Sequence, residues 1–141
     1  MEQQTIKDEI LRILTEHKVG TLCTIKGNQP FARYMIFRND GFSLYTVTSK
    51  KTEKIQDILS NNNVHILLGF QGSHGKPFID MTAIATIQDD DHTKERFWHD
   101  NFRKYLKGPD DPNYIVIRCE PKFIRLINHP ELEGPYTITF K

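Results

Sequence analysis

Between Phe31 and Val47 the chain reads FARYMIFR, then Asn39-Asp40-Gly41, then FSLYTV. An Asp-Gly pair between two runs rich in aromatic and β-branched residues is a strong short-range hairpin signal. This turn constrains the fold more than any other feature, because strands joined so tightly must be antiparallel. The rest of the chain repeats the pattern. Val19 to Lys26 is strand-like and Gly27-Asn28-Gln29-Pro30 is a turn leading into Phe31 to Arg38. Phe42 to Val47 follows the hairpin, and Val64 to Phe70 is a nearly continuous apolar run suited to a central strand. Phe78 to Gln88 alternates over a long strand. Tyr114 to Cys119 and Lys122 to Ile127 read as two strands hinged at Pro121, and TITF near the end as a last short one.

Helices are inserted among these strands. Ile6, Ile10, Ile13 and Leu14 recur at helical spacing, predicting an amphipathic helix from Thr5 to His17, with Thr5 and Asp8 as a capping box. Lys54 to Leu59 predicts a short helix with Ile55, Ile58 and Leu59 on one side, ended by Asn61-Asn62-Asn63. Asp89-Asp90-Asp91 reads as the solvated cap of a helix from Thr93 to Leu106, whose inner face uses Phe97, Trp98, Phe102 and Tyr105 or Leu106. Gly108-Pro109-Asp110-Asp111-Pro112 stops that helix. Gln71 to Pro77 is a loop with two glycines. Six or seven strands with three helices give an α+β class, mainly β, built on an antiparallel sheet or barrel. All 141 residues fit one domain.

Charge narrows the function classes. Lys and Arg total 19 against 18 for Asp and Glu, so the basic excess of a general nucleic-acid binder is missing and no nucleic-acid partner is expected. No apolar run approaches membrane-spanning length, and the polar MEQQTIKDEI start begins a helix, so it does not read as a signal peptide. Cys23 and Cys119 lie in apolar runs and read as buried free thiols of a reducing compartment. A cytoplasmic protein is the expectation.

The chemistry concentrates between Arg33 and Lys54. Thr48, Ser49, Lys50, Lys51, Thr52 and Lys54 cluster where a helix begins. Cations at a helix start oppose the dipole, and a bound anion reverses that cost. The bland alternative is a solvated helix start. For Arg33, on a strand with apolar neighbours, the alternative to a guanidinium fork on phosphate is an exposed cross-strand ion pair. The remaining candidates read as structural. His17, His65, His74, His92, His99 and His129 show no paired ligand spacing and neither cysteine is in a CxxC, so no metal site is expected. Trp98 reads as a core anchor, and Ser49 and the cysteines lack a nucleophile motif.

In order and spacing these pieces resemble the pyridoxamine 5′-phosphate oxidase-like family of FMN-binding split barrels, within it the general stress protein 26 subgroup. The RYMIFR strand, the Tyr45-Thr46 pair and Thr52-Glu53-Lys54 at a helix start carry the resemblance. So do Phe97-Trp98, YLKGPDDP and IVIRCEP, and the likeness extends to about Ile127. It implies an antiparallel Greek-key barrel and a homodimer with FMN in a groove between subunits. It also implies a phosphate held by Arg33, Thr52 and Lys54, with Lys51 also in reach. Backbone groups of Tyr34, Met35 and Ile36 would then line the flavin ring, with Tyr45 and Thr46 beside it, and Arg38 closes the first motif.

Some positions depart from the oxidases themselves. Glu53 stands where they have arginine, and Phe78 falls near their flavin-contacting glutamine. Ala83 replaces a common glycine, and Leu126-Ile127 takes the place of the subgroup's usual Trp. The tail lacks their arginine-containing motif. The resemblance therefore implies a flavin-dependent oxidoreductase-like protein, with pyridoxamine 5′-phosphate oxidation itself not expected and no catalytic residue assigned. FAD and a deazaflavin are alternative cofactors. A flavin storage or sensing module without turnover is the alternative function.

Overall fold

In the computed structural model, which describes residues 1–69, 72 and 76–141, seven strands and three α-helices follow one another in the expected order. The elements are α1 (Gln3–Glu16), β1 (Val19–Lys26), β2 (Gln29–Asp40), β3 (Ser43–Ser49), α2 (Glu53–Ser60), β4 (Asn63–Leu68), β5 (Phe78–Gln88), α3 (Asp91–Phe97), β6 (Tyr114–Ile127) and β7 (Tyr136–Thr139). A 3-10 turn, Asp100–Lys104, lies between α3 and β6. Every strand pairing is antiparallel. The order is β3-β2-β1-β4-β5-β6-β7, and β3 also pairs with β6, which closes a six-stranded barrel. Strands β1 to β3 form a meander and β4 returns beside β1, the Greek-key order.

The hairpin forms, but its turn is Gly41-Phe42, and the expected turn residues Asn39 and Asp40 belong to β2. Asp40 faces Ser43, and Gly41 takes a φ of 60°, a left-handed value that costs glycine nothing. Inward positions of the strands build the core. Leu22, Phe37, Leu44, Ile66, Met81 and Ile117 are buried, and the Ile6, Ile10, Ile13 and Leu14 stripe of α1 joins them. Where β1 meets β4 there is no room for a side chain. A Cβ on Gly20 would stand 2.6 Å from the Leu67 carbonyl oxygen and 2.8 Å from Leu68 Cδ1.

Several local expectations are corrected. Helix α1 begins two residues before Thr5, its N-cap Glu2 makes no side-chain cap bond, and Asp8 accepts instead from Gln4 Nε2 at 3.0 Å. The Thr5–Asp8 capping box does not form. On α2, Leu59 faces solvent at 67% exposure, and the buried face is completed by Asp57 beside Ile55 and Ile58. The two strands expected around Pro121 are one strand, β6. Thr82 faces Phe123 while Ala83 faces Pro121, so Lys122 is the extra residue of a bulge. A bulge accommodates the missing proline N–H without ending the strand. The single helix expected from Thr93 to Leu106 is broken at Trp98 and His99, both extended. His99 Nδ1 accepts from Asn101 N at 3.1 Å and Trp98 Nε1 donates to Asp100 at 3.1 Å. Such short-range bonds compete with the helical ladder. Asp90 caps α3 as expected, its carboxylate accepting from the Thr93 amide at 3.0 Å.

Strand β4 is described through Leu68. The strand expected to reach Phe70 ends at Leu68, with Gly69 outside it at a φ of 108°, and Phe70, Gln71 and residues 73–75, His74 among them, lie outside the described residues. Among the described residues no helix is long and apolar enough to cross a membrane. Cys119 is buried and Cys23 half-buried, rather than both buried, and both are free thiols.

Candidate functional site

Strand alternation splits the RYMIFR run into two faces. Arg33, Met35 and Phe37 turn towards the barrel, while Tyr34 and Ile36 turn outwards and are 79% and 61% exposed. On β3, Leu44, Thr46 and Thr48 are buried inward, and Tyr45 and Val47 face out. The segment from α3 through the 3-10 turn lies over that outer face. Its Phe97 stacks on Tyr45, with ring centroids 4.4 Å apart, and Trp98 packs on Phe102 and Tyr114. Trp98 thus anchors a second small core, as its residue type suggests. Leu106 is the buried residue of the Tyr105–Leu106 pair.

Between this cover and the β2–β3 face runs a groove in two chambers. One, of about 400 Å³, is lined by Tyr34, Met35, Ile36, Thr48, Thr52 and Lys54, with Tyr105 as its outer wall. The other, of about 350 Å³, is lined by Ile36, Arg38, Tyr45, Thr46 and Phe97. Ile36, Val47 and Phe102 line both.

The polar end of the first chamber is built by β3 and α2. Lys54 Nζ donates to Thr48 Oγ1 at 2.9 Å, and Thr48 Oγ1 lies 3.5 Å from Thr52 Oγ1. Thr52 is the N-cap of α2, but its hydroxyl donates back to the Ser49 carbonyl at 2.9 Å and makes no side-chain cap bond. The α2 amino end is therefore not consumed by its own cap. Burial lowers the Lys54 pKa from 10.5, and the positive charge of Arg33 lowers it further. Two cations are held near one another, an arrangement that a bound anion stabilises.

Arg33 is more deeply engaged than a free phosphate ligand. Its Nη1 donates to Thr24 Oγ1 at 2.7 Å and to the Leu22 carbonyl at 3.2 Å. Its Nη2 lies 4.0 Å from Asp57 Oδ2, which also accepts from the buried Thr24 hydroxyl at 3.3 Å. Thr24 and Asp57, which orient this guanidinium, escaped the sequence reading. Asp57 lies on the buried face of α2, where a carboxylate interrupts an apolar pattern, and that was the available signal.

The cationic cluster itself divides. Lys50 turns away to Asp89 at 2.9 Å. Lys51 lines neither chamber and faces a separate cavity beyond Ser49. Arg38 extends over Phe97, 5.3 Å from its centroid, and donates to the Arg96 carbonyl at 3.2 Å. Thr46 donates to the Ile36 carbonyl at 2.8 Å and so ties β3 to the strand edge facing both chambers. Tyr45 lines the second chamber but is buried beneath Phe97. The structure thus gathers Tyr34, Met35, Ile36, Thr52 and Lys54 in one chamber, with Arg38, Tyr45 and Thr46 in its neighbour, and leaves both Arg33 and Lys51 outside the chamber linings. Among the described residues no group of three or more His, Cys, Asp or Glu residues could hold a metal ion. Burial, with the neighbouring Glu120, raises the Cys119 thiol to about 12, which leaves it protonated and inert near neutrality.

A family model described as pyridoxamine 5′-phosphate oxidase matches residues 6–128. The chain belongs to the pyridoxamine 5′-phosphate oxidase family. General stress protein 26 of Bacillus subtilis (strain 168) is 40% identical over 132 residues, covering 93% of this chain and 94% of that protein. The crystal structure of general stress protein 26 from Bacillus anthracis superposes with a TM-score of 0.86 at 31% identity, over 96% of this chain and 98% of that one. A Listeria innocua structure described as a putative pyridoxamine 5′-phosphate oxidase gives 0.78 at 36% identity, over 87% and 98%. The match within this family accords with the mainly β split barrel described above.

Proposed function

We propose that the groove holds a flavin, FMN in the first instance, and that the protein acts in oxidation-reduction as a homodimer. The observation that carries this reading is the convergence of Lys54, Thr48 and Thr52 at one end of an otherwise apolar groove, with Arg33, which lines neither chamber, near enough for its charge to act on Lys54. Ammonium and hydroxyl donors around one point suit a phosphate, and the apolar chambers beyond suit a planar ring. A bound flavin supplies hydride or electron transfer at its ring. The chain's own task is to bind the phosphate, order the ring against the β2 edge and limit solvent access.

The open wall of the groove supports the dimer. Val19, Tyr34 and Ile36 form an exposed apolar patch along β1 and β2, and a second copy would cover it while completing the groove. Glu53 is exposed at the α2 start and adds no donor to the phosphate end. This supports a role other than pyridoxamine 5′-phosphate oxidation. Two free thiols favour a cytoplasmic setting.

The test is to mix the protein with FMN, remove the excess by gel filtration, and record the visible spectrum and the mass. Flavin retained near one per subunit, on a particle of twice the chain mass, followed by bleaching with NAD(P)H, supports an oxidoreductase. Retention without bleaching by any donor favours flavin storage or sensing. Failure to retain FMN with retention of a deazaflavin reassigns the cofactor.

A further inference from the structure

Beyond Ser49 the groove has a neighbour that the flavin reading does not use. This cavity, of about 330 Å³, shares Ser49 and Tyr105 with the chamber that holds Thr52 and Lys54. Four cationic side chains line it: Lys51, Arg103, Lys104 and Lys107. Arg103 is fixed in place. Its Nη1 donates to the Lys107 carbonyl at 2.9 Å, its Nε lies 3.5 Å from Asp100, and its guanidinium covers Trp98 at 5.6 Å. One carboxylate lines the cavity, Asp111, and it is committed to the turn. Its oxygens accept from the Lys107 amide at 2.7 Å and the Asn113 amide at 2.8 Å, which hold the carboxyl below its ordinary value.

The ion pairs nearby go elsewhere. Lys50 and Lys94 pair with Asp89. Among the described residues no ion pair engages Lys51, Lys104 or Lys107. Lys51, Lys104 and Lys107 are exposed, and Asp111, which the charges of Lys107 and Lys51 help to hold low, offsets only part of their positive charge, so a multiply charged anion is favoured there. The concavity between these side chains and its junction with the groove at Ser49 and Tyr105 set the patch apart from a flat solvated face.

We propose that this cavity is a second anion subsite that takes a diphosphate, the part a dinucleotide has and a mononucleotide lacks. The proposal rests on the flavin reading only for what lies next door. The diphosphate comes either from a flavin dinucleotide whose ring occupies the groove or from a nicotinamide dinucleotide docking beside bound FMN.

Inorganic pyrophosphate, titrated calorimetrically into flavin-free Lys54→Gln protein, tests the subsite with the groove's own phosphate end weakened. Adding Lys104→Gln and Lys107→Gln, both at exposed positions, to that background is expected to weaken binding about tenfold. Binding unchanged by that addition, or no binding to Lys54→Gln at millimolar pyrophosphate, overturns the proposal. Flavins then identify the source. FAD bound more tightly than FMN, with the difference abolished in the Lys104→Gln/Lys107→Gln double variant, assigns the flavin dinucleotide. Equal flavin affinities, with NADPH binding to FMN-loaded protein weakened in the double variant, assign the nicotinamide dinucleotide. If neither flavin binds while pyrophosphate still depends on Lys104 and Lys107, the flavin reading fails and the subsite stands.

Discussion

Lys54 and Arg33 are neighbouring cations, but Lys54 lines the groove and Arg33 does not, and they differ in what they hold. Among the described residues the Lys54 ammonium hydrogen-bonds to Thr48 Oγ1 alone, so Lys54→Ala removes a ligand donor and little else. FMN binding is expected to weaken by about 1–3 kcal/mol, the range for a charge-assisted bond, with the denaturation midpoint nearly unchanged. Arg33 also satisfies Thr24 and lies near the buried Asp57. Arg33→Ala leaves that carboxylate without its cation, so both FMN affinity and stability fall, the latter by about 1–3 kcal/mol in urea unfolding. The lowered Lys54 pKa gives a pH signature with a definite sign. Phosphate favours the charged ammonium, so the bound-state pKa lies above that of the free protein. FMN affinity is then highest below the depressed free-state value and declines as pH rises through it, before the ordinary lysine value of 10.5 is reached. Titrations at increasing alkaline pH measure this, and Lys54→Ala is expected to flatten the profile. The sequence displayed Arg33 and Lys54 openly. It did not display Asp57 and Thr24 as their support, because that pairing joins residues 33 apart in the chain.

At the level of elements, turn chemistry and periodicity carried the reading where they act locally, and longer-range packing decided the rest. The hairpin after Arg38 and the Asp90 cap depend on neighbours within a few residues; the cap forms as read, and the hairpin forms with its turn moved on to Gly41-Phe42. The broken helix after α3 and the Pro121 bulge depend on what the segment must cover. Residues from Phe97 to Leu106 bend to fit the outer face of Tyr45, Tyr114 and Val116, and β6 must follow β5 along its whole length. Two variants test the sheet. Gly20→Ala drives a methyl into the Leu67 carbonyl and is expected to cost about 1–3 kcal/mol in chemical denaturation. Asp80, on β5, is cross-strand from Arg125, which donates from Nε at 2.9 Å. Burial pushes the Asp80 carboxyl up, but the bonds and charge of Arg125, with His65, pull it below 3.8 overall. A depressed carboxyl contributes stability above its unfolded value that is lost as pH falls through the folded one. Asp80→Asn is therefore expected to lower the urea midpoint near neutrality, by about 1 kcal/mol, and to lessen the loss of stability below pH 3.8.

For the whole molecule, the barrel was legible because each strand carries its own alternation and each turn its own residues. The groove was not, since its walls come from β2, β3, α2 and the segment before β6. Closure of β3 onto β6 places the cover beside the RYMIFR strand, and no local pattern announces that contact. The open apolar wall at Val19, Tyr34 and Ile36 gives the expectation that a charge there disrupts assembly and cofactor retention together. The central claim is that this groove holds a flavin through its phosphate. The most direct measurement compares FMN with riboflavin, which has the ring without the phosphate, by fluorescence titration of flavin-free wild-type and Lys54→Ala protein. The account predicts that wild type binds FMN at least about tenfold more tightly than riboflavin, and that Lys54→Ala erases most of that preference. Equal affinities for the two flavins in wild type, or a preference for FMN that survives Lys54→Ala intact, would contradict it.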